Sequence, residues 1–205
     1  MRRTPKNREE ELICGETYHV YNRAVGSELL FKTATDYAWF LKKLERFILP
    51  IADIYTYCLI PNHFHLLLNI KEPDEIPKLQ KLDEDDYSNY LSHVFGNFFN
   101  SYAKSFNKMH DRSGRLFFQP FKRIIVEDED YFILLVNYIH RNPIHHGLVK
   151  EMSDWKYSSF NSIVSNKPTN IDRTEVLSFF DTLEDFIAFH DENKYKPGTE
   201  KFLLE

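Results

Sequence analysis

The sequence is short of most features that give a function away at a glance. Among its 205 residues there are two cysteines, Cys14 and Cys58, 44 positions apart. That excludes a disulfide framework and a C-x-x-C metal or redox motif, and leaves two buried reduced thiols as the expectation. Only six glycines are present, and no glycine-rich phosphate loop is among them. No run of 18 apolar residues exists, so no membrane-spanning helix is expected. The N-terminal MRRTPKNREEELICGETY has no apolar centre of a secretory signal, so a cytoplasmic protein without a membrane partner is expected. Net positive charge is lacking too: the balance is −5, from 26 Lys and Arg against 31 Asp and Glu. A protein coated in positive charge for duplex DNA is disfavoured, although net charge says nothing of distribution.

What is present is aromatic and apolar. Hydrophobic residues make up 42% and aromatics 16%, with 18 Phe and 12 Tyr, which is ample for a packed core. Trp39 and Trp155 are expected as core anchors. Residues 17–25 alternate and are rich in β-formers, which predicts a strand. Tyr37, Phe40, Leu41, Leu44 and Ile48 recur at helical spacing, so 35–48 is predicted helical, with Thr35 or Asp36 able to cap it. Residues 51–60 and 63–70 read as two strands around Pro61-Asn62, a hairpin. Segment 72–86 carries seven acids, two lysines and two prolines and is expected as a solvated loop. A helix over 87–108, a strand over 118–126 and a helix from about 128 to Asn142 follow, with Pro143 discouraging continuation. After an irregular aromatic stretch at 152–164, an amphipathic helical pattern runs from about 166 into a polar end.

The order predicts an α+β fold: a ferredoxin-like four-stranded antiparallel sheet, helices on one face, the other open for a site with a nucleophile-bearing helix beside it, and a C-terminal helical extension. The chain divides into a basic N-terminal arm (1–14, with Arg2, Arg3, Lys6 and Arg8), a central domain (15–163) and the extension (164–205).

His63 and His65 alternate with Phe64 and Leu66 on one predicted strand, so both imidazoles share a face. Neutral imidazoles so placed bind one divalent cation; the alternative is a pair of exposed strand histidines with no ligand. On the 128–142 helix, Tyr138 and Asn142 stand one turn apart beside the apolar stripe of Phe132, Leu135, Val136 and Ile139. Asn142 offers an amide oxygen as a third ligand, and Tyr138 a hydroxyl one turn away. Two imidazoles and an amide oxygen leave positions on a cation for phosphate oxygens, and an aligned tyrosine then becomes a usable nucleophile. In 101–125 the charge is +5, from Lys104, Lys108, Arg112, Arg115, Lys122 and Arg123 against Asp111, interleaved with Tyr102, Phe106, Phe117, Phe118 and Phe121. Cations with aromatic platforms suit single-stranded nucleic acid; a solvated helix face over core aromatics is the alternative. His140 and Arg141 read equally as phosphate contacts or as exposed side chains. His145 and His146 read as the close of a turn before Gly147. Nothing in their spacing selects Glu28, Asp36 or Asp53 as further acids at the site.

Four segments, IPNHFHLLL (60–68), RSGRLFFQPFK (112–122), VEDEDYFILLVNYIHRNPIHHGLV (126–149) and DWKYSSF (154–160), resemble the single-tyrosine HUH transposases of the insertion-sequence type. The resemblance is strongest to their REP-associated branch (RAYT). It covers roughly residues 15–163, with Pro120 standing where the family often has an arginine. It implies that His63, His65 and Asn142 are metal ligands for Mg2+ or Mn2+, that Tyr138 is the nucleophile, and that Arg141 joins the basic residues above in binding DNA. It further implies cleavage and joining of hairpin-forming, REP-like or element-end single-stranded DNA through a 5′-phosphotyrosine, by a monomer or homodimer. Two other classes stay open: a hairpin-binding protein of this fold that no longer cuts, and an unrelated metal-dependent phosphoesterase.

Overall fold

The computed structural model describes residues 10–192. The expected basic residues Arg2, Arg3, Lys6 and Arg8, and the polar end beyond 192, lie outside the described residues. Four strands, β1 (Thr17–Arg23), β2 (Ala52–Ile60), β3 (His63–Ile70) and β4 (Lys122–Ile125), form one sheet in the order β2-β3-β1-β4, every neighbouring pair antiparallel. With helices α1 (Ala34–Phe47) and α2 (Tyr87–Met109) between the strands, this is the ferredoxin-like plan. β2 and β3 are the expected hairpin around Pro61-Asn62.

One face of the sheet carries Phe64, Leu66, Leu68 and Ile70 and packs on α1 and α2. Phe40 meets Phe64, Phe98 and Tyr102 with ring centroids 5.0–5.1 Å apart. Thr33, rather than Thr35 or Asp36, caps α1. Asp36 reaches back from the first turn and accepts from the Thr33 N–H at 2.7 Å, while its other oxygen meets His110 Nε2 at 2.8 Å. That buried carboxylate ties the start of α1 to the end of α2.

The opposite face was expected to hold the site, with a nucleophile-bearing helix beside it. It is covered: α3 (Glu129–His145) packs across β2 and β3, and Leu67 and Thr56 are fully buried beneath it. The unbroken run Leu66-Leu67-Leu68 is the trace of a strand buried on both sides. α3 also continues past Asn142. Pro143 lies in its last turn, where it removes only the donor for Ile139, and the His146 N–H still reaches the Asn142 carbonyl at 3.1 Å. β4 is shorter than predicted because Pro120 supplies no ladder donor; the chain rejoins β1 earlier, at the Ala24–Phe117 bridge.

The acidic segment 72–86 is three short 3-10 turns, and Ile76 and Leu79 plug into the core while most of the acids face solvent. It leaves the far end of β3, about 23 Å along the strand from His63 at ~3.3 Å per residue. The tail is not one helix: after α4 (Phe160–Ile163) come α5 (Arg173–Leu177) and α6 (Leu183–Glu192). Thr182 forces the break by accepting from the Asp185 N–H at 3.1 Å, an N-cap contact. Trp39 is no core anchor. It is 42% exposed, with Lys43 above its ring. Trp155 does anchor, its indole N–H donating to the Leu59 carbonyl at 2.9 Å. Cys58 is buried, but Cys14 is only partly so.

Candidate active site

The first three residues of β3 and the last turns of α3 meet at one end of the sheet. His63 follows the hairpin turn, and its Nδ1 lies 2.9 Å from Asn62 Oδ1. His63 Nε2 lies 3.1 Å from Asn142 Oδ1, so the ring is held between Asn62 and Asn142. His65 stands two residues on. Its Nδ1 is 2.9 Å from His19 Nε2, and its Nε2 is buried with no hydrogen-bond partner among the described residues. Burial pushes the His65 pKa well below the ordinary histidine value, and neighbouring His19, His63 and His146 push the same way. Burial alone holds His19 down to about 3. Both rings are therefore neutral at pH 7, the state in which imidazole ligates a metal.

Tyr138 and Asn142 come from successive turns of α3, about 6 Å apart along its axis. The Tyr138 ring meets His65 edge-on at 5.4 Å, and the residue is 3% exposed. Tyr131, the other tyrosine on this helix, lies about 10 Å back along the axis at ~1.5 Å per residue, and burial pushes its hydroxyl up to about 12. The His63 ring has a further neighbour at the mouth of the site, His146, 4.9 Å away. The structure thus brings His63, His65, Asn142 and Tyr138 together. No group of three His, Cys, Asp or Glu side chains suited to a metal occurs among the described residues, so a cation here has to take the amide oxygen. The donors fit one: two imidazoles, of which His65 offers a buried Nε2 with no hydrogen-bond partner among the described residues, and a carbonyl-type oxygen.

Sequence reasoning missed His19, Asn62 and His146. His19 and Tyr21 repeat on β1 the same-face spacing of His63 and His65, but only the β1–β3 register, with Tyr21 opposite His65, puts them at the site. The acids considered are all elsewhere. Glu28 pairs with Lys32 and Arg112, Asp53 with Lys71, and Asp36 is at the start of α1.

The basic residues divide. Lys104 and Arg115 line a groove of about 740 Å³ between α2 and the 114–121 segment, with Asn100, Asn107, Gln119 and Phe118. Phe118 is 40% exposed, and the Arg23 guanidinium lies 4.7 Å over its ring. Arg23 sits opposite His63 in the β1–β3 ladder and reaches over Phe118, whereas Asn22, the neighbouring residue that lines the groove, is opposite Phe64 on the α2 face of the sheet. Lys108 is exposed farther along α2. Arg112 is held by Glu28 at 2.9 Å and by Asn107. Lys122 and Arg123 are half-buried on β4, with Arg123 bonded to the Glu10 carbonyl and stacked over Phe121. Arg141 is not a surface cation. It is 7% exposed on the back of α3 and donates to the His190 carbonyl at 3.1 Å, which corrects its expected DNA contact. His140 is fully buried beside it, so neither is solvent-exposed.

No protein-family model matches the chain. A Haemophilus influenzae protein named as a REP-associated tyrosine transposase is 29% identical over 113 residues, which cover 53% of this chain and 58% of that relative. The match therefore spans less than two thirds of the relative's length. Among solved structures, that of a REP-associated tyrosine transposase bound to a REP hairpin superposes with a TM-score of 0.55 at 19% identity, covering 80% of this chain and 89% of that one. The fold is shared with that protein. In sequence and in fold the chain is similar to REP-associated tyrosine transposases. Among the described residues no helix is long and apolar enough to cross a membrane.

Proposed function

We propose that a chain so similar to REP-associated tyrosine transposases is itself a transposase-type nuclease. It cleaves and rejoins hairpin-forming single-stranded DNA through a covalent 5′-phosphotyrosine. The observation that carries the reading is the convergence of Tyr138 and Asn142 from one helix on His63 and His65 from one strand. His63, His65 and Asn142 would hold a magnesium or manganese ion. When bound there, the ion supplies Lewis-acid chemistry, offsetting charge on the oxygens of the scissile phosphate. The Tyr138 oxygen attacks the phosphorus. The bond to the 3′ oxygen breaks as the new phosphotyrosine ester forms; the phenol gives up one proton and the departing 3′ oxygen takes up one. The ester keeps the phosphodiester's energy, so a 3′-OH can reverse the step without a nucleotide cofactor. The α3 covering excludes water that would compete with that 3′-OH.

The groove along α2 supports the substrate assignment. Lys104 and Arg115 match phosphates, and Phe118 with Arg23 offers a stacking platform for an unpaired base. All four site residues come from one chain. The test is a nicking assay on a single-stranded oligonucleotide carrying a hairpin, with Mn2+. The expected result is a discrete cut with a free 3′-OH that chelation abolishes. One observation favours a second reading, hairpin binding without cleavage: Tyr138 is 3% exposed. Retention of the hairpin with no cut at any Mn2+ concentration would favour it.

A further inference from the structure

His19 belongs to neither the histidine pair read from the sequence nor the helix above it, yet it makes a hydrogen bond to His65. Its Nε2 lies 2.9 Å from His65 Nδ1, with ring centroids 5.1 Å apart and 21° between planes. Tyr21 stacks on both rings. His19 is 1% exposed. It is placed by register: Tyr21 is opposite His65, and His19, two residues back on the same face, is its diagonal neighbour across the ladder.

A ring-to-ring hydrogen bond at 2.9 Å needs one nitrogen to donate and the other to accept, and the accepting ring keeps its proton on its other nitrogen. A single hydrogen bond between them allows two arrangements. If His19 donates, His65 must carry its proton on Nε2, the buried nitrogen with no other partner. An N–H there repels a cation. If His65 donates from Nδ1, its Nε2 presents a lone pair beside His63 and Asn142. The remaining proton then moves to His19 Nδ1, which is buried and lacks a hydrogen-bond partner among the described residues. The first arrangement disables the site; the second completes it.

We propose that His19 is a positioning residue for His65: it accepts the His65 Nδ1–H and so fixes ring and tautomer with Nε2 facing the cation. This deepens the reading above and rests on a cation at His63, His65 and Asn142. Outer hydrogen bonds of this kind typically change metal affinity about 10- to 100-fold when lost.

The test uses the full chain and Mn2+ titration followed by electron paramagnetic resonance, so it does not depend on cleavage. His19→Gln places an amide oxygen about as far out as Nε2 and keeps an acceptor. His19→Asn stops short at the Nδ1 position, and His19→Phe keeps the stacked ring without an acceptor. The expected result is near wild-type affinity for the Gln variant and at least about a tenfold loss for Asn and Phe. A second readout is the nitrogen-15 spectrum of wild-type histidines with diamagnetic Mg2+, where His65 should carry its proton on Nδ1. Wild-type affinity in the Phe and Asn variants, or a proton on His65 Nε2, overturns the proposal while leaving the cation reading intact. Mn2+ binding that is absent from the wild type, or unaffected by His63→Ala, overturns the cation reading and this inference with it.

Discussion

Two pairs of buried, neutral imidazoles flank α3, and they are built to opposite ends. On its back, His140 Nδ1 meets His190 Nε2 at 3.0 Å. The outer nitrogens are also taken: His140 Nε2 by Ser159 and Thr56 at 2.8 and 2.7 Å, His190 Nδ1 by the Phe186 carbonyl at 2.8 Å. Asn137 and Arg141 add donors to the same turn of α6. On its front, His19 and His65 make one hydrogen bond to each other, and their outer nitrogens have none among the described residues. A protein that closes one pair completely does not leave the other open for want of polar partners. Buried polar atoms without hydrogen bonds are costly, by about 1–3 kcal/mol each, and persist where a ligand or a reaction uses them. The closed pair holds the helix in place; the open pair is where chemistry is expected.

The comparison breaks most visibly at the ligands. His63→Ala and Asn142→Ala should each lower the rate of Mn2+-dependent nicking by at least about 100-fold and leave thermal unfolding within a few degrees of wild type. Unaltered nicking in both variants would remove the open cluster from the chemistry. The closed pair should behave in reverse. His190→Ala removes the imidazole that bonds His140 Nδ1 and the Phe186 carbonyl and opens a cavity, while Arg141 keeps the residue-190 backbone carbonyl, so a loss of about 2–3 kcal/mol in unfolding free energy is expected, with Mn2+ affinity retained in the folded fraction. Calorimetry together with metal titration checks both halves.

A third effect is acid lability. Burial holds His190 down to about 4, His19 to about 3, and His140 well below its ordinary value. Below about pH 6.5 the unfolded chain takes up protons that the folded chain refuses, so stability is whole above that pH and falls as pH drops toward 4. Each such histidine adds up to about 1.4 kcal/mol per pH unit to the slope. Denaturant midpoints at pH 7.5 and 5.5 should show the loss, and His190→Gln should flatten it; a midpoint that does not move with pH contradicts the buried neutral assignment. The smallest effect is in the groove. Lys104→Ala and Arg115→Ala should each weaken single-strand binding and reduce the slope of log affinity against log salt by about 0.7. A slope equal to wild type in both would take the strand elsewhere.

Much of this was legible in the residues. The alternation around His63 and His65 places both rings on one face, and the four-residue step from Tyr138 to Asn142 stacks them on successive turns of one helix face; local periodicity suffices for each. What local periodicity cannot supply is which surfaces meet. Arg141 is one residue from Asn142, and a 100° step per residue turns it to the back of α3, but only the packing of α6 shows that the back is buried. Trp39 has the composition of a core residue and the position of a surface one, because the stripe of α1 that faces the sheet runs through Tyr37, Phe40 and Leu44. His19 shows the limit most clearly. It lies 46 residues from His65, and the strand register that joins them is a property of the folded sheet.

The central claim is that the open cluster serves a tyrosine nucleophile, and the attacking residue can be read directly. The full chain is incubated with hairpin-bearing single-stranded DNA and Mn2+, denatured, digested, and the DNA-linked peptide is identified by mass. The expected linkage is on Tyr138, lost in Tyr138→Phe and kept in Tyr131→Phe. A linkage on Tyr131, or a cut strand with no protein attached, would contradict the account.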